Sequence, residues 1–437
     1  MLPLKIILYL VLLFFGMAGS VFYHPFIGII GYLFTYNINP VGHWWGVPLV
    51  DWGIRYSLFL VVGTGIGIII YRSKLKFKSL FVSQEILLIL FLGIIWLSIP
   101  FGLGFNSEDT NAIKMTKVVI IILMASHIIT DFKKYEIMLW TLIIAGLYLG
   151  YETYQAPDWM FEGGRIDRGI GGSDFNEGNF LGSHFGILLP FIGVMFLKGG
   201  WKNKVICLIS GVFVINGVIL CRSRGVFLAI LLGIITAIIF SIRGMRKRIL
   251  LGIIIAMLGS VFLIDPGFWS RMESIEIDTS EMGPSAQGRI LAWEAALSIT
   301  WDYPLGIGEG NFKKYVGQYN PNIPGKDTHD TFLRCLAELG VQGLFIYMLL
   351  IANAFNILRK LRTQVRRMAN ETDFRWHIYG LTVSIIIFIS SGMFITHTYI
   401  EELYWLLLFP VFLKRSVENQ LSTQQPVSSK RQQATSI

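Results

Sequence analysis

The chain has 437 residues, of which 54% are hydrophobic and 15% charged, with a mean hydropathy of +0.59 and a formal net charge of +9. Apolar runs near twenty residues recur along it, which excludes an ordinary soluble enzyme and predicts an all-α polytopic membrane protein. Three cysteines without close spacing argue against a disulfide framework and against a cysteine metal site. In such a protein the basic excess is a question of which loops carry it, and no nucleic-acid partner is expected.

In chain order the apolar runs predict spans over Leu4 to Val21, Ile54 to Tyr71, Glu85 to Leu103, Ile113 to Thr130, Ile137 to Tyr154, Phe180 to Leu197 and Val205 to Cys221. They continue with Val226 to Ile242, Ile249 to Ile264, Val341 to Leu358, His377 to Ile395 and a shorter Tyr404 to Leu413, about twelve transmembrane helices in all. No small-x-small site follows Leu4 to Val21, so that run reads as a span and not as a cleaved signal. Phe26 to Tyr36 would reach only about 16 Å as a helix and reads as re-entrant or interfacial; were it to span, Met1 would move to the outer side. Residues 1–416 form one membrane domain, and the Gln/Ser-rich segment 417–437 reads as a disordered cytoplasmic tail.

Lys and Arg concentrate in the loops Arg72 to Lys78, Lys198 to Lys204, Arg243 to Arg248 and Arg359 to Arg375, joined by Lys133 and Lys134, which assigns those loops to the cytoplasm. The alternate loops are acid-rich and face outward. Among them Val41 to Trp52 carries three tryptophans suited to an interfacial belt, Gln155 to Gly178 is glycine-rich, and residues 265–340 form the largest. A loop of that length is more often functional than passive. Within it Ser285 can cap a helix from Ala286 to about Thr300 lying on the membrane surface, with Ile290, Trp293 and Leu297 as its apolar stripe. Pro304 ends that helix, and Gly306 to Gly310 reads as a flexible turn. A second helix, capped by Asp327 or Thr328 and closed by Gly340, puts His329 in its first turn.

Arg222 and Arg224 break the positive-inside pattern, since the basic loops on either side lie one span away. Two readings stand: arginines that snorkel to outer headgroups, or a guanidinium fork on a phosphate or diphosphate. Arg289 is either a solvated residue of the loop helix or a third member of that fork. Arg165 and Arg168 face the same side, as anion ligands or as partners of Asp167 and Glu162; Lys114 and Lys117, three residues apart at the start of a span, add charge there or anchor the helix end. His329 is a candidate general base, its neutral form favoured by a helix N-terminus and its charged form by Asp327 and Asp330. No metal cluster is expected, because His43, His329 and His397 lack ligand spacing, and Gly306-x-Gly308-x-Gly310 lacks the strand context of a dinucleotide fingerprint.

In this order these features resemble the O-antigen ligase and polymerase superfamily of bacterial envelope glycosyltransferases. The resemblance is carried by Arg224-x-x-x-Leu228, by Gly288-Arg289 with Trp293 and Ala295, by Pro304-Leu305-Gly306-Ile307-Gly308, and by His329 with Leu333, Gly340 and Gly343. It covers roughly Val205 to Leu358, and Asn37-Ile38-Asn39-Pro40 is similar to the exosortase-associated O-glycosylation ligase branch. The resemblance implies a GT-C-like fold in the bacterial inner membrane and an active site facing the periplasm. It implies transfer of a glycan from undecaprenyl diphosphate to lipid A core, protein or another glycan, with inversion and with neither metal nor cofactor. Arg224 and Arg289 would hold the diphosphate, Arg222 would assist, and His329 would activate the acceptor hydroxyl. A polymerase using the same donor is the alternative within the family. A transporter or flippase is the more distant one, and would call for ionisable residues near the membrane midplane, often with an internal repeat.

Overall fold

The computed structural model describes residues 4–75, 81–104, 111–166, 170–175, 177–242, 244–264, 266–273, 284–368 and 371–434. The protein is an all-α polytopic membrane protein in which, among the described residues, eight helices are each long and apolar enough to cross a bilayer. In chain order the helices of the first half are α1 (Leu4–Phe22), α2 (Pro25–Asn37), α3 (Val47–Asp51), α4 (Tyr56–Tyr71), α5 (Ser83–Phe101), α6 (Asn111–Ile128) and α7 (Phe132–Tyr154). A two-residue hairpin follows, β1 (Phe161–Glu162) antiparallel to β2 (Arg165–Ile166), and then α8 (Gly178–Lys198), α9 (Trp201–Cys221), α10 (Arg224–Ile239) and α11 (Arg246–Val261). The last part holds α12 (Pro266–Glu273), α13 (Pro284–Asp302), α14 (Phe312–Tyr319), α15 (Thr331–Gln364), α16 (Glu371–Ser391) and α17 (Glu401–Ala434).

Each of the twelve predicted spans falls on one of these helices, and ion pairs fix the two ends of the bundle. At one end Lys198 pairs with Glu136 and lies 3.7 Å from Asp373, while Arg415 reaches Glu85 at 2.9 Å, joining the cytoplasmic ends expected for α5, α7, α8, α16 and α17. At the other end lie Glu152, the hairpin, α12 to α14 and the residues singled out above.

The N-terminal pair corrects one expectation. Lys5 bonds Glu152 at 2.5 Å at the start of α1, whereas the Tyr71 hydroxyl at the far end of α4 donates to Phe22 O at 2.7 Å. α1 therefore begins at the Glu152 end, and α2 returns beside it: a Cβ on Gly16 would come within 3.5 Å of Gly31 Cα, and one on Gly28 within 2.8 Å of Ser20 Cβ. The turn is set by Pro25 at the first helical position and by His24, whose Nδ1 accepts from Phe26 N at 3.1 Å. α2 is thus a thirteenth helix packed in the bundle, neither re-entrant nor interfacial. Glycines on the facing surfaces let a helix shorter than the hydrocarbon core be buried among its neighbours. Trp45 is likewise core and not belt: it is buried against Tyr9 and Tyr56, and its Nε1 donates to the Tyr148 hydroxyl at 3.0 Å. At the other terminus α17 continues to Ala434, past the point where the sequence suggests a tail, with Ser416 and Val417 buried.

A second, smaller core lies above the bundle. Ala292, Ala295, Ala296 and Ile299 of α13 pack on Ile307, Phe312, Val316, Ile323 and Ala337. The buried face of α13 is therefore a row of alanines, which permits close approach, and Leu297 of the expected stripe is 54% exposed. Trp301 and Leu305 beyond it, with Val341 and Phe345 of α15, make an exposed apolar row.

The glycine-rich segment after Pro304 is a fastened strap rather than a flexible turn. Ile307 N donates to Ala337 O at 3.0 Å, Gly308 N to Glu338 O at 2.9 Å, and Leu103 N to Ile307 O at 2.8 Å, so the strap joins α5 to α15. Its glycines are required because Gly306, Gly308 and Gly310 all have φ between 74° and 94°, and a Cβ at Gly306 would sit 2.4 Å from Glu338 O. Gly340, at φ 71°, breaks α15 as expected, dividing a first segment in the upper layer from a second that crosses the bundle.

Candidate functional site

His329 sits on the turn that enters α15. The N-cap is Asp330, whose carboxylate accepts from Leu333 N at 2.8 Å, and not Asp327 or Thr328; His329 therefore precedes the helix and is not in its first turn. The difference arises because Asp330 competes for the cap while Thr328 closes the turn, its hydroxyl donating to Asp330 O at 2.9 Å. Trp293 Nε1 of α13 clamps the same turn by donating to Thr328 O at 2.9 Å. His329 is left at φ 48°, and with Arg222 at φ 43° it is one of two non-glycine residues of positive φ among the described residues. Such backbone costs on the order of 1–3 kcal/mol per residue and persists where surrounding contacts over-determine it.

Burial lowers the pKa of His329 below 6.5; Asp327 opposes this, while Arg289, Lys313 and Arg165 add to it. Four chain segments thus bring charge to one imidazole: its own turn, α13, α14 and the hairpin. The neutral ring is the form that can accept a proton, and it follows from burial and neighbouring cations, not from the helix N-terminus the sequence suggested. Burial works to raise the Asp327 carboxyl, but Arg334, Lys313, the Thr396 hydroxyl and His329 outweigh it and hold it well below the carboxylate range.

Arg165 extends the cluster towards Arg222. β2 is pressed so closely on the start of α8 that a Cβ at Gly178 would lie 2.0 Å from Ile166 O and 3.6 Å from Cys221 O, and the Arg165 charge reaches Cys221 as well as His329. Arg222, in the left-handed cap of α9, lays its guanidinium between the hairpin turn and α12. A Cβ on Gly164 would be 2.9 Å from Nη1, and one on Gly267 would be 2.5 to 2.6 Å from the guanidinium atoms. Arg224 is the first residue of α10 and half-buried; Ser223 beside it donates to Asn179 Oδ1 at 2.8 Å, and Phe394 covers Gly225.

The remaining candidates lie elsewhere. Lys114 pairs with Asp174, which also accepts from the Tyr36 hydroxyl and from Glu401 N, both at 3.1 Å; this draws Lys114 into a cluster between α2, α6 and α17. Lys117 is exposed on the next turn of α6. Arg168 lies outside the described residues, as does Asp167. Cys207, Cys221 and Cys335 are free and buried.

The structure also adds residues the sequence reading passed over. Arg334 binds Asp327 Oδ1 at 2.9 Å and Glu338 at 2.7 Å, Lys313 stands 3.3 Å from Asp327 Oδ2, and Tyr399 donates to Glu338 at 2.9 Å. The i, i+4 spacing of Arg334 and Glu338 was the available signal; nothing local marks Lys313 or Thr396.

Residues 185–348 match the family model of the O-Antigen ligase, a segment that contains Arg222, Arg224, Arg289 and His329. No curated protein matches the chain. The match supports the resemblance to the O-antigen ligase and polymerase superfamily and a membrane enzyme of ligase or polymerase type.

Proposed function

We propose, from the O-antigen ligase signature in residues 185–348, that the protein moves a glycan from undecaprenyl diphosphate to an acceptor hydroxyl at the periplasmic face of the bacterial inner membrane. The observation that carries this reading is the convergence of Arg289, Arg165 and Lys313 on His329, at the end of the bundle opposite its basic loops. Ionisable groups gathered at one face suit group transfer better than alternating access, which needs them at the midplane.

In this reading Arg289 and Arg224, assisted by Arg222 and Arg165, bind the diphosphate and stabilise the charge that grows on it. The acceptor hydroxyl gives its proton to His329 as its oxygen bonds to the anomeric carbon. The bond from that carbon to the diphosphate oxygen breaks, and the electron pair leaves with undecaprenyl diphosphate. Attack opposite the leaving group inverts the anomeric centre. A diphosphate leaving group and one base are chemically sufficient for this step. The similarity of Asn37-Ile38-Asn39-Pro40 to the exosortase-associated O-glycosylation ligase branch favours a ligase acting on lipid A core or protein over a polymerase.

The test uses a deletion strain complemented at matched expression with wild type, Arg224→Ala, Arg289→Ala or His329→Ala, reading envelope glycans on gels and lipid-linked glycans by mass spectrometry. Transfer is expected to fall by roughly 10²- to 10³-fold in each variant. Long lipid-linked chains that never reach an acceptor mark a ligase, and single repeat units mark a polymerase. Unchanged glycans in all three variants would overturn glycan transfer and bring a transporter forward.

A further inference from the structure

Where α10, α15 and α16 meet at the basic-loop end of the bundle, opposite His329, a cleft is lined by Phe240, Ile242, Ile378 and Tyr379 together with Arg362 and Arg375. Two guanidiniums thus share one largely apolar cleft. Its frame is fixed by neighbouring helices: the Tyr379 hydroxyl donates to Ala237 O at 2.9 Å, joining α16 to α10, and Ile242 and Tyr379 pack with Met245 and Ile249 of α11. α11 therefore sets Arg246, Lys247 and Arg248, all exposed, beside the cleft.

Carboxylates do not neutralise the two arginines that line it. Arg375 bonds Glu371 Oε1 through Nη1 at 3.1 Å, an i, i+4 contact between side chains that are both about one-third exposed, which makes it a weak pairing. Arg362 pairs with no carboxylate among the described residues. Two planar guanidinium forks are thereby left for an anion, and a phosphate matches their geometry. The enclosed part of the cleft measures about 20 Å³, room for one or two water-sized groups such as phosphate oxygens and none for an acyl chain. A surface for acyl chains lies next to it: Phe240 is 47% exposed, and Ile239, Ile235 and Leu232 continue an exposed apolar face along α10.

We propose that this cleft binds an anionic phospholipid of the adjoining leaflet, its phosphodiester held between Arg362 and Arg375 and its acyl chains lying against Phe240 and the exposed face of α10. A basic pocket between membrane helices with apolar walls meets both halves of such a molecule, whereas a free phosphate would leave the apolar wall unused. Arg246, Lys247 and Arg248 add attraction for an anionic surface without selecting a position on it. The site would stand whether or not the protein transfers glycans.

The test places full-length protein in phosphatidylcholine nanodiscs with and without phosphatidylglycerol, counts the lipids that stay bound by native mass spectrometry, and follows thermal melting in parallel. Wild type is expected to retain phosphatidylglycerol in preference to phosphatidylcholine and to melt at a higher temperature when it is present. Arg362→Gln combined with Arg375→Gln is expected to weaken that binding by roughly tenfold or more and to lose the rise in melting temperature. Arg246→Gln combined with Lys247→Gln removes the same charge beside the cleft and is expected to keep both. Equal losses in the two pairs would reduce the effect to a diffuse surface field and overturn the site, as would a wild type without preference for phosphatidylglycerol. Inorganic phosphate added to phosphatidylcholine nanodiscs is expected to leave melting unchanged; the same rise with phosphate alone would overturn the lipid assignment. Should the double arginine variant fail to fold, Arg362→Gln alone decides, because that side chain is exposed: wild-type binding in it overturns the proposal.

Discussion

Two charged clusters at opposite ends of the bundle are built differently. At the basic-loop end a cation meets a carboxylate directly: Arg415 lies 2.9 Å from the fully buried Glu85, and Lys198 pairs with Glu136, which is also 3.2 Å from His377. These contacts tie α5 to α17 and α7 to α8 and α16. At the other end Asp327 serves two cations, Arg334 and Lys313, while Arg289 and Arg165 bring further positive charge to His329. The first cluster holds helices together; the second gathers charged side chains from separate segments about one imidazole.

The contrast gives three further expectations, in falling order of effect. Arg415→Met removes one partner of a buried pair and leaves Glu85 behind, so it should cost about 3–5 kcal/mol of stability. Activity per folded molecule should be unchanged, as measured by thermal melting beside transfer assays; a specific loss of turnover would erase the distinction between the ends. Gly308→Ala strikes the strap, where φ is 94° and the new Cβ would lie 2.9 Å from Ser98 O. It should cost roughly 1–3 kcal/mol and impair transfer as well, because the strap carries the layer that presents His329. The same melting and transfer measurements check it, and a variant that melts and works like wild type would show that the strap is not required.

The smallest effect is that of pH. The pKa of His329 is lowered by burial and the nearby cations, so the folded-state value lies below 6.5 and the neutral base predominates above it. The rate should be flat through neutrality and drop about tenfold per unit once pH falls below that folded-state value. An acid limb centred above 6.5 would mean that Asp327 outweighs burial and the cations together.

What could be read from the sequence follows the length scale of each signal. The long spans were legible because burial in lipid demands long apolar runs, and Gly340 because a break in α15 needs a residue tolerant of positive φ. α2 escaped because its 13 residues fall short of the hydrocarbon core, and its role depends on glycine contacts with α1 that no local pattern reveals. The α13 stripe was misread because alanines carry the buried face, where a search for large apolar residues points to Leu297. At the site, Arg289, Arg165 and His329 were named individually. Their meeting depends on the hairpin, α13 and the entry to α15 coming together from separate parts of the chain. Thr396 lies 67 residues beyond His329 by number and announces itself only through the bond to Asp327.

In the glycan-transfer reading the exposed row of Trp301, Leu305, Val341 and Phe345 would be a waterline. Trp301 is of the kind that rests where a bilayer gives way to water, with Leu305, Val341 and Phe345 suited to the hydrocarbon beside it, and Gly340 lies between Leu305 and Val341, at the join between the upper layer and the crossing part of α15. The depth of the cationic cluster would then be tied to the membrane surface itself. A lipid-anchored donor of the kind proposed would arrive by sliding sideways within its leaflet, its tail remaining in hydrocarbon throughout. The search for substrate becomes two-dimensional, and the spent carrier drifts away along the same plane.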